Sequence, residues 1–148
     1  MFIPVGGWKK KQRIAFLFYN SMYSFTYDKR KIIVTAKLKG PKKESFFQFI
    51  LDTGAETSVI DESAAISLGF NLNSIPKSKL LVTAGSKINS KIVCLDFLEL
   101  FGLSIPKFKV CVIPLPPVML IDGLIGVDFM QELKKMKIHF DLKKIEIG

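Results

Sequence analysis

The chain has 148 residues, of which 49% are hydrophobic, and a formal net charge of +9 from 22 basic and 13 acidic side chains. This length favours one domain with a full hydrophobic core, and no apolar run approaches the roughly 20 residues that a membrane-spanning helix needs. Only Arg13 and Arg30 among the basic residues are arginine, the residue best suited to reading base edges, so we expect neither a membrane protein nor a specific nucleic-acid-binding protein.

The hydrophobic content exceeds what a small soluble monomer needs, and the excess predicts that the chain self-associates. Cys94 and Cys111 both lie in apolar, strand-like runs without a C-x-x-C spacing, and His139 is the single histidine. We therefore expect buried free thiols, no metal site and no cofactor.

Residues 1–30 mix aromatic residues, lysine and glycine without a clear period, and we interpret them as an N-terminal extension in which RIAFLFY predicts a strand. The apolar part of KKKQRIAFLFYNSMYS is too short for a signal peptide, and no A-x-A cleavage site follows it, so we expect a cytoplasmic location. Residues 31–148 are predicted to form one domain.

The predicted domain begins with three β segments. KIIVTAKLKG and SFFQFILD are strand-like runs, and the Gly-Pro turn signal GPKKE between them predicts a hairpin. TSVID then predicts a further short β segment, the third of the domain.

Asp61 suits the N-cap of a short helix, DESAAISLGF, whose C-terminal end is marked by Gly69. The remainder of the domain is mostly β with one further helix. We predict two strands within residues 79–100 around a tip near Gly85–Asn89, a strand at KFKVCVIP, a helix at DFMQELKKM, and a closing hairpin at KIHFDLKKIEIG.

An acid follows directly on the apolar strand SFFQFIL. Asp52, Thr53 and Gly54 form the tripeptide Asp-Thr-Gly, in which the glycine permits a sharp turn and the threonine offers a hydroxyl to a neighbouring backbone. Such a turn can present the Asp52 carboxylate at the floor of a cleft. One carboxylate alone, however, is a weak catalyst.

Two facing carboxylates catalyse better, because like charges about 3 Å apart cannot both ionise and so share one proton. One then takes a proton from water while the other donates a proton to a carbonyl oxygen, which permits peptide hydrolysis without a metal. No other aspartate is followed by Thr-Gly or Ser-Gly, so the second carboxylate must come from another copy of the chain, and a homodimer is predicted. The aspartates excluded in this way are Asp28, Asp61, Asp96, Asp122, Asp128 and Asp141.

The segments FILDTGAETSVID and GLIGVDFM, about seventy residues apart, resemble the retroviral-type, or retropepsin-like, aspartic proteases, and above all their single-domain members outside retroviruses. The match runs from about Ile32 to the C-terminus. It implies an all-β, retropepsin-like acid protease fold with closed, barrel-like sheets and one or two short helices, assembled as a homodimer. It also implies an aspartic endopeptidase that binds extended peptides.

The resemblance assigns roles around the Asp-Thr-Gly turn. By position, Asp52 would be the catalytic acid, and Thr53 would brace the two active-site loops across the dimer axis. Gly54 and Ala55 would line the floor of the cleft and contact the substrate.

The resemblance also assigns roles to two later segments. The hairpin centred on Ala84, Gly85 and Ser86 would be the flap that closes over a substrate and excludes water. The segment 124–126, Leu-Ile-Gly, would pack behind the active-site loop.

The sequence departs from the retroviral pattern in three places. Glu56 and Val127 stand where retroviral enzymes often have an acid and an arginine that form an ion pair, so that pair is doubtful. The flap has one glycine, Gly85, where retroviral flaps are glycine-rich. The extra N-terminal residues could add dimer strands, cover the cleft or be a removable pro-segment.

Alternative functions stay open. The same fold could hold peptides as a dimer and cut them poorly. The lysine-rich surface, which includes Lys9–Lys11 and Lys29–Lys31, could bind nucleic acid or acidic proteins through its charge. A third possibility is that the enzyme is latent until the N-terminal extension moves.

Overall fold

The computed structural model describes residues 21–148 except Ala84, together with the short strands Phe2–Ile3 and Ala15–Phe16. Most described residues lie in strands, and the helices are short. The strands are β1 (Phe2–Ile3), β2 (Ala15–Phe16), β3 (Ser21–Ser24), β4 (Thr26–Asp28), β5 (Lys31–Lys39), β6 (Glu44–Leu51), β7 (Val59–Asp61), β8 (Lys79–Thr83), β9 (Ser86–Cys94), β10 (Phe97–Leu100), β11 (Leu103–Pro106), β12 (Lys109–Ile113), β13 (Gly123–Ile125), β14 (Met136–His139) and β15 (Lys144–Ile147). The α-helices are α1 (Glu62–Ser67) and α2 (Val127–Met130), and 3₁₀ turns span Leu72–Ser74, Pro117–Met119 and Gln131–Leu133.

The main sheet has ten strands in the order β11-β10-β5-β6-β13-β7-β12-β9-β8, with β4 also paired to β5. A second sheet has the order β14-β15-β3, and β1 pairs with β2. The predicted all-β class with few short helices is confirmed. The hydrogen-bonded order of the main sheet is an open path, so the expected closed, barrel-like arrangement is not seen among the described residues.

The β5–β6 hairpin supports the strand that carries the Asp-Thr-Gly turn. Its buried residues alternate with exposed ones, and Val34 faces Phe49 across the pair. The N–H of Gly40 donates to the carbonyl of Lys43 at 3.0 Å and closes the turn. The hairpin predicted from the alternating pattern and the Gly-Pro signal is therefore confirmed.

Strand β13 lies between β6 and β7, parallel to the first and antiparallel to the second. This close approach requires glycine at position 123, because a Cβ there would lie 2.2 Å from the carbonyl oxygen of Val59 and 2.5 Å from the ring of Phe49. The arrangement pairs Leu51 with Ile125, so that Asp52 and Gly126 follow directly on the adjacent C-terminal ends of β6 and β13.

Helix α1 begins and ends where the sequence predicts. The side chain of Asp61 caps the first turn by accepting from the N–H of Ser63, and Gly69 follows the last turn with a φ of +102°. The cap satisfies a backbone donor that has no partner inside the helix, and glycine adopts the left-handed conformation without steric cost.

Two predictions for the second half of the domain were wrong in their bounds. The helix predicted at DFMQELKKM ends with the 3₁₀ turn at Leu133, because Lys134 has a φ of 64° and Met136 pairs with Ile147 in β14–β15. Strand β8 ends at Thr83 and β9 begins at Ser86, so the tip predicted near Gly85–Asn89 was placed too far along the chain.

The long second strand predicted to reach Leu100 was also wrong, since it divides into β9 and β10 at Leu95–Asp96. Strand β11 was missed altogether. It pairs with β10 through a tight turn in which Phe101 and Gly102 both have positive φ. Phe-Gly carries no strong turn signal, which explains the omission.

Strands β3 and β4 lie within the predicted N-terminal extension. Strand β3 pairs with β15, and β4 pairs with β5. The strand predicted at RIAFLFY includes β2, and the rest of that segment lies outside the described residues. The division of the chain at residue 30 stays a prediction.

Two clusters of buried apolar residues fill the interior of the described part of the chain. The larger one joins β5, β6, the helices and the second sheet. The smaller one, which we call the cleft cluster, is formed by β7 and β12 and consists of Val59, Cys111 and Ile113, with Leu81, Ile88, Ile92, Leu115 and Leu124 packed against them. In the described residues, no helix has the length and apolar character to cross a membrane.

Candidate active site

Asp52 is the first residue after β6, and hydrogen bonds fix its backbone on both sides. Its N–H donates to the carbonyl of Ile125 at 2.9 Å, and its carbonyl accepts from the N–H of Ala55 at 3.2 Å. Asp52 is half-buried, whereas Thr53 and Gly54 are exposed. The turn therefore presents its carboxylate and the threonine on an accessible surface while its backbone is tied to β13.

The carboxylate of Asp52 is oriented by its own turn. Oδ1 accepts from the N–H of Gly54 at 2.9 Å. A Cβ at position 54 would approach Oδ1 to 3.2 Å, so a side chain there would crowd the carboxylate. No other described residue donates to this carboxylate, which leaves Oδ2 available for a substrate, a water or a second acid.

The segment predicted to pack behind the loop does so. Val127 donates its N–H to the carbonyl of Ala55 at 2.8 Å. A Cβ at Gly126 would lie 2.6 Å from the same carbonyl oxygen and 2.9 Å from the carbonyl carbon of Thr57. Only a residue without a side chain allows the two backbones to approach this closely.

Two residues to which the sequence analysis assigned no role, Ser58 and Asp128, connect the Asp-Thr-Gly loop to the segment 124–126. Ser58 is fully buried, and its N–H donates to both carboxylate oxygens of Asp128 at 2.9 and 3.0 Å. Its hydroxyl donates to Oδ1 of Asp128 at 2.7 Å and accepts from the N–H of Gly126 at 2.9 Å. The only signals in the sequence were a serine within the apolar run SVI and an acid in the first turn of a helix.

Among the described residues, the other aspartates with side-chain hydrogen bonds, Asp61, Asp122 and Asp128, accept from groups away from the Asp52 turn. Asp122 accepts from the N–H of Gln48 at 2.8 Å, and Asp128 binds Ser58. Asp61 accepts from the N–H of Leu115 at 2.7 Å and from the hydroxyl and N–H of Ser63. These three carboxylates serve backbone groups within the fold.

The pKa of Asp61 reflects this setting. Burial raises the pKa, but the hydrogen bonds from the Ser63 hydroxyl and from the backbone N–H groups of Leu115, Ser63 and Glu62 together outweigh burial, so the pKa lies below its ordinary value of 3.8. The Asp61 carboxylate is therefore a stable anion that caps α1 and holds the chain after β12.

The β8–β9 hairpin packs on the cleft cluster through Leu81 and Ile88, which face each other across the pair. Near its tip, Gly85 has a φ of +90° with open space where a Cβ would lie, and Ser86 is exposed. Ala84, the third residue assigned to the flap, lies outside the described residues.

A lysine connects the base of this hairpin to the loop that follows Asp52. Lys79 Nζ donates to the hydroxyl of Thr57 at 3.1 Å. Val127, at the position where an arginine was expected by resemblance, is 41% exposed, and Glu56 is exposed. No group of three histidine, cysteine or acidic residues in the described part of the chain could hold a metal ion.

Comparisons with known proteins agree on one fold. The family model described as aspartyl protease matches residues 34–129, more than half of the chain. A retropepsin-like aspartic protease from Rickettsia conorii superposes with a TM-score of 0.67 at 16% identity, over 86% of this chain and 89% of that one. The EIAV protease in complex with the inhibitor HBY-793 gives a TM-score of 0.58 at 18% identity, over 77% of this chain and 99% of that one. No curated protein matches the sequence significantly.

Proposed function

The chain belongs to the aspartyl protease family and has the retropepsin fold, and from this premise we propose that it is an aspartic endopeptidase whose catalytic dyad consists of Asp52 from each subunit of a homodimer. The observation that carries the proposal is the geometry of the Asp-Thr-Gly turn. Its backbone is held by β13, and its carboxylate keeps one oxygen without a donor among the described residues.

The proposed reaction needs no group beyond the two carboxylates and water. The unprotonated acid takes a proton from a water molecule, whose oxygen attacks the peptide carbonyl carbon, while the protonated acid gives its proton to the carbonyl oxygen. The tetrahedral species is a neutral diol. When it collapses, one of its hydroxyls returns its proton to the acid that lacks one, the C–N bond breaks, and the leaving amine takes up the proton of the other acid. The dyad ends in its starting state, with one shared proton.

The environment of the turn supports a second copy as the source of the second acid. Thr53 and Gly54 are exposed in the single chain. Residues that brace two loops across a two-fold axis must be accessible in this way before the subunits meet. Asp61, Asp122 and Asp128 are engaged by other groups and are not free to face Asp52. An isologous contact would bring two identical turns together and complete the site.

The substrate in this proposal is a protein or peptide bound in an extended conformation. Gly54 and Ala55 would form the floor, and the hairpin tip at Ala84, Gly85 and Ser86 would close over the peptide. The half-buried residues packed on the cleft cluster, which include Leu81, Ile88 and Leu124, would receive apolar side chains. The cytoplasmic location and the lack of specific nucleic-acid partners stay predictions.

The test is a peptide-library digest by the wild type and by Asp52→Asn, with and without an aspartic-protease transition-state mimic. We expect the substitution to lower turnover by at least about a thousandfold, because the dyad loses its general base while the size of the side chain is kept. Asp96→Asn removes one charge at an exposed position and serves as the matched control.

The same experiment separates the proposed enzyme from a peptide-binding module of the same fold. A binding module would retain peptides in both forms and release no fragments. Equal turnover by the wild type and Asp52→Asn would contradict the mechanism.

A further inference from the structure

The two faces of the β8–β9 hairpin carry different lysines. Residues that face each other across an antiparallel pair share one face of the sheet, and alternate residues along each strand return to it. Lys79 therefore lies on the same face as Leu81 and Ile88, which pack on the cleft cluster. Lys87 is paired with Val82 and lies on the opposite face.

Lys79 reaches from this inner face to the chain just beyond the catalytic turn. Its ammonium donates to the Thr57 hydroxyl, a neutral acceptor, at 3.1 Å. No carboxylate among the described residues lies within ion-pair distance of Lys79, and Glu56, next to its acceptor, is exposed without contacting it. The result is a cation without an ionic partner in the described residues, beside an apolar cluster and hydrogen-bonded to Thr57, which follows the Asp52 turn in the sequence.

We propose that Lys79 and Thr57 form a subsite for an acidic side chain of the substrate, adjacent to the apolar subsite made by the cleft cluster. This inference rests on the proposed function and names the class of substrate: extended peptides in which an aspartate or glutamate lies near an apolar residue of the cleaved segment. A two-fold axis would place one such subsite on each side of the dyad.

When substrate binds, the Lys79 ammonium is expected to exchange its acceptor, from the Thr57 hydroxyl to a carboxylate of the peptide. The ammonium is an ionised donor in both contacts, but a carboxylate acceptor adds an opposite charge, and with it a Coulomb attraction that the neutral hydroxyl lacks. Thr57 can at the same time donate its hydroxyl proton to the carboxylate, since a hydroxyl is both donor and acceptor. The exposed Lys79–Thr57 contact thus holds the ammonium in position and is readily replaced.

The experiment compares pairs of peptides that differ only by Glu or Gln at one position, with that position scanned on both sides of a cleavage site found in the library digest. At low salt, we expect the wild type to cleave the best Glu peptide with a kcat/KM about threefold to tenfold above that of its Gln partner, mostly through KM. Lys79→Gln should abolish the preference, and Lys79→Glu should reverse it toward peptides with Lys at that position. Lys87→Gln makes the same charge change on the outer face of the hairpin and should leave the preference for Glu peptides as it is in the wild type.

Binding to an inactive form separates this inference from the proposed function. Asp52→Asn and the double variant Asp52→Asn/Lys79→Gln are titrated with fluorescent Glu and Gln peptides. A Glu preference that depends on Lys79, with no cleavage by the wild type, would overturn the proteolytic function and support the subsite. Cleavage by the wild type with equal Glu-to-Gln ratios in wild type, Lys79→Gln and Lys87→Gln would overturn the subsite and leave the proteolytic function standing.

Discussion

At the residue scale, the candidate site depends on one carboxylate being free and another being fully used. Asp52 accepts one hydrogen bond from its own turn, while Asp128 accepts from the backbone and hydroxyl of Ser58 and from its own N-terminal helix turn at Phe129. Asp52 thus keeps one oxygen without a donor among the described residues, whereas both oxygens of Asp128 accept hydrogen bonds within the fold. The number of hydrogen bonds that each carboxylate accepts therefore distinguishes two aspartates that are chemically identical in the sequence.

We predict that Asp128→Ala weakens both the fold and the site. The substitution leaves the buried N–H and hydroxyl of Ser58 without their acceptor, and an unsatisfied buried polar group costs about 1–3 kcal/mol. Urea denaturation should show this loss of unfolding free energy. Turnover should fall as well, because the Ser58 hydroxyl, which accepts from the N–H of Gly126, loses the acceptor that orients it.

Asp96→Ala, at an exposed position, should change the unfolding free energy by less than about 0.5 kcal/mol and is the control for Asp128→Ala. The role assigned to Asp128 would be wrong if both variants had wild-type stability and wild-type kcat.

At the scale of elements, local signals predicted those parts of the fold that are stabilised locally. The β5–β6 hairpin has alternating apolar residues and a Gly-Pro turn, and α1 has a capping acid and a terminal glycine, so both were found. Helix α2 was overestimated because its sequence suits a helix as far as Met136. The pairing of Met136 with Ile147 overrides that local preference.

We predict that the contribution of Asp61 to stability depends on pH. Because the folded-state pKa of Asp61 is lowered, its ionised form stabilises the fold above the ordinary pKa of 3.8, and this stabilisation disappears as the pH falls through the folded-state pKa. Asp61→Asn keeps a capping side chain but loses the charge. Its unfolding free energy should lie about 1 kcal/mol below that of the wild type at pH 7, and the gap should close below about pH 4.

Urea denaturation at a series of pH values measures this gap, and Asp96→Asn should follow the wild-type curve throughout. A gap between the wild type and Asp61→Asn that stayed constant from pH 7 to pH 3, or widened in acid, would show that the charge of Asp61 does not stabilise the native state.

At the scale of the whole molecule, the proposed site exists only where two chains meet. We predict that mixing subunits of the wild type with those of Asp52→Asn lowers activity as the square of the wild-type fraction. After subunit exchange at equal concentrations, the activity should be about one quarter of that of wild type at the same total concentration, because each mixed dimer carries one acid and lacks a dyad.

The measurement is turnover after exchange, with sedimentation to confirm that dimers form. Mixing the wild type with Asp96→Asn should leave activity unchanged and controls for exchange itself. Activity that fell only in proportion to the wild-type fraction would show that each chain carries a complete site.

The sequence by itself determined the β-rich class and the Asp-Thr-Gly turn, because these depend on alternation of apolar residues and on glycine, and the chemistry of paired carboxylates led from that turn to the proposal of a second acid. Only the tertiary structure decided which distant groups meet. Asp128 lies 70 residues from Ser58 and Lys79 lies 22 from Thr57, and β13 inserts between β6 and β7. Such pairings are selected by the burial and hydrogen bonding of the whole sheet, and they leave no local pattern from which they could be predicted.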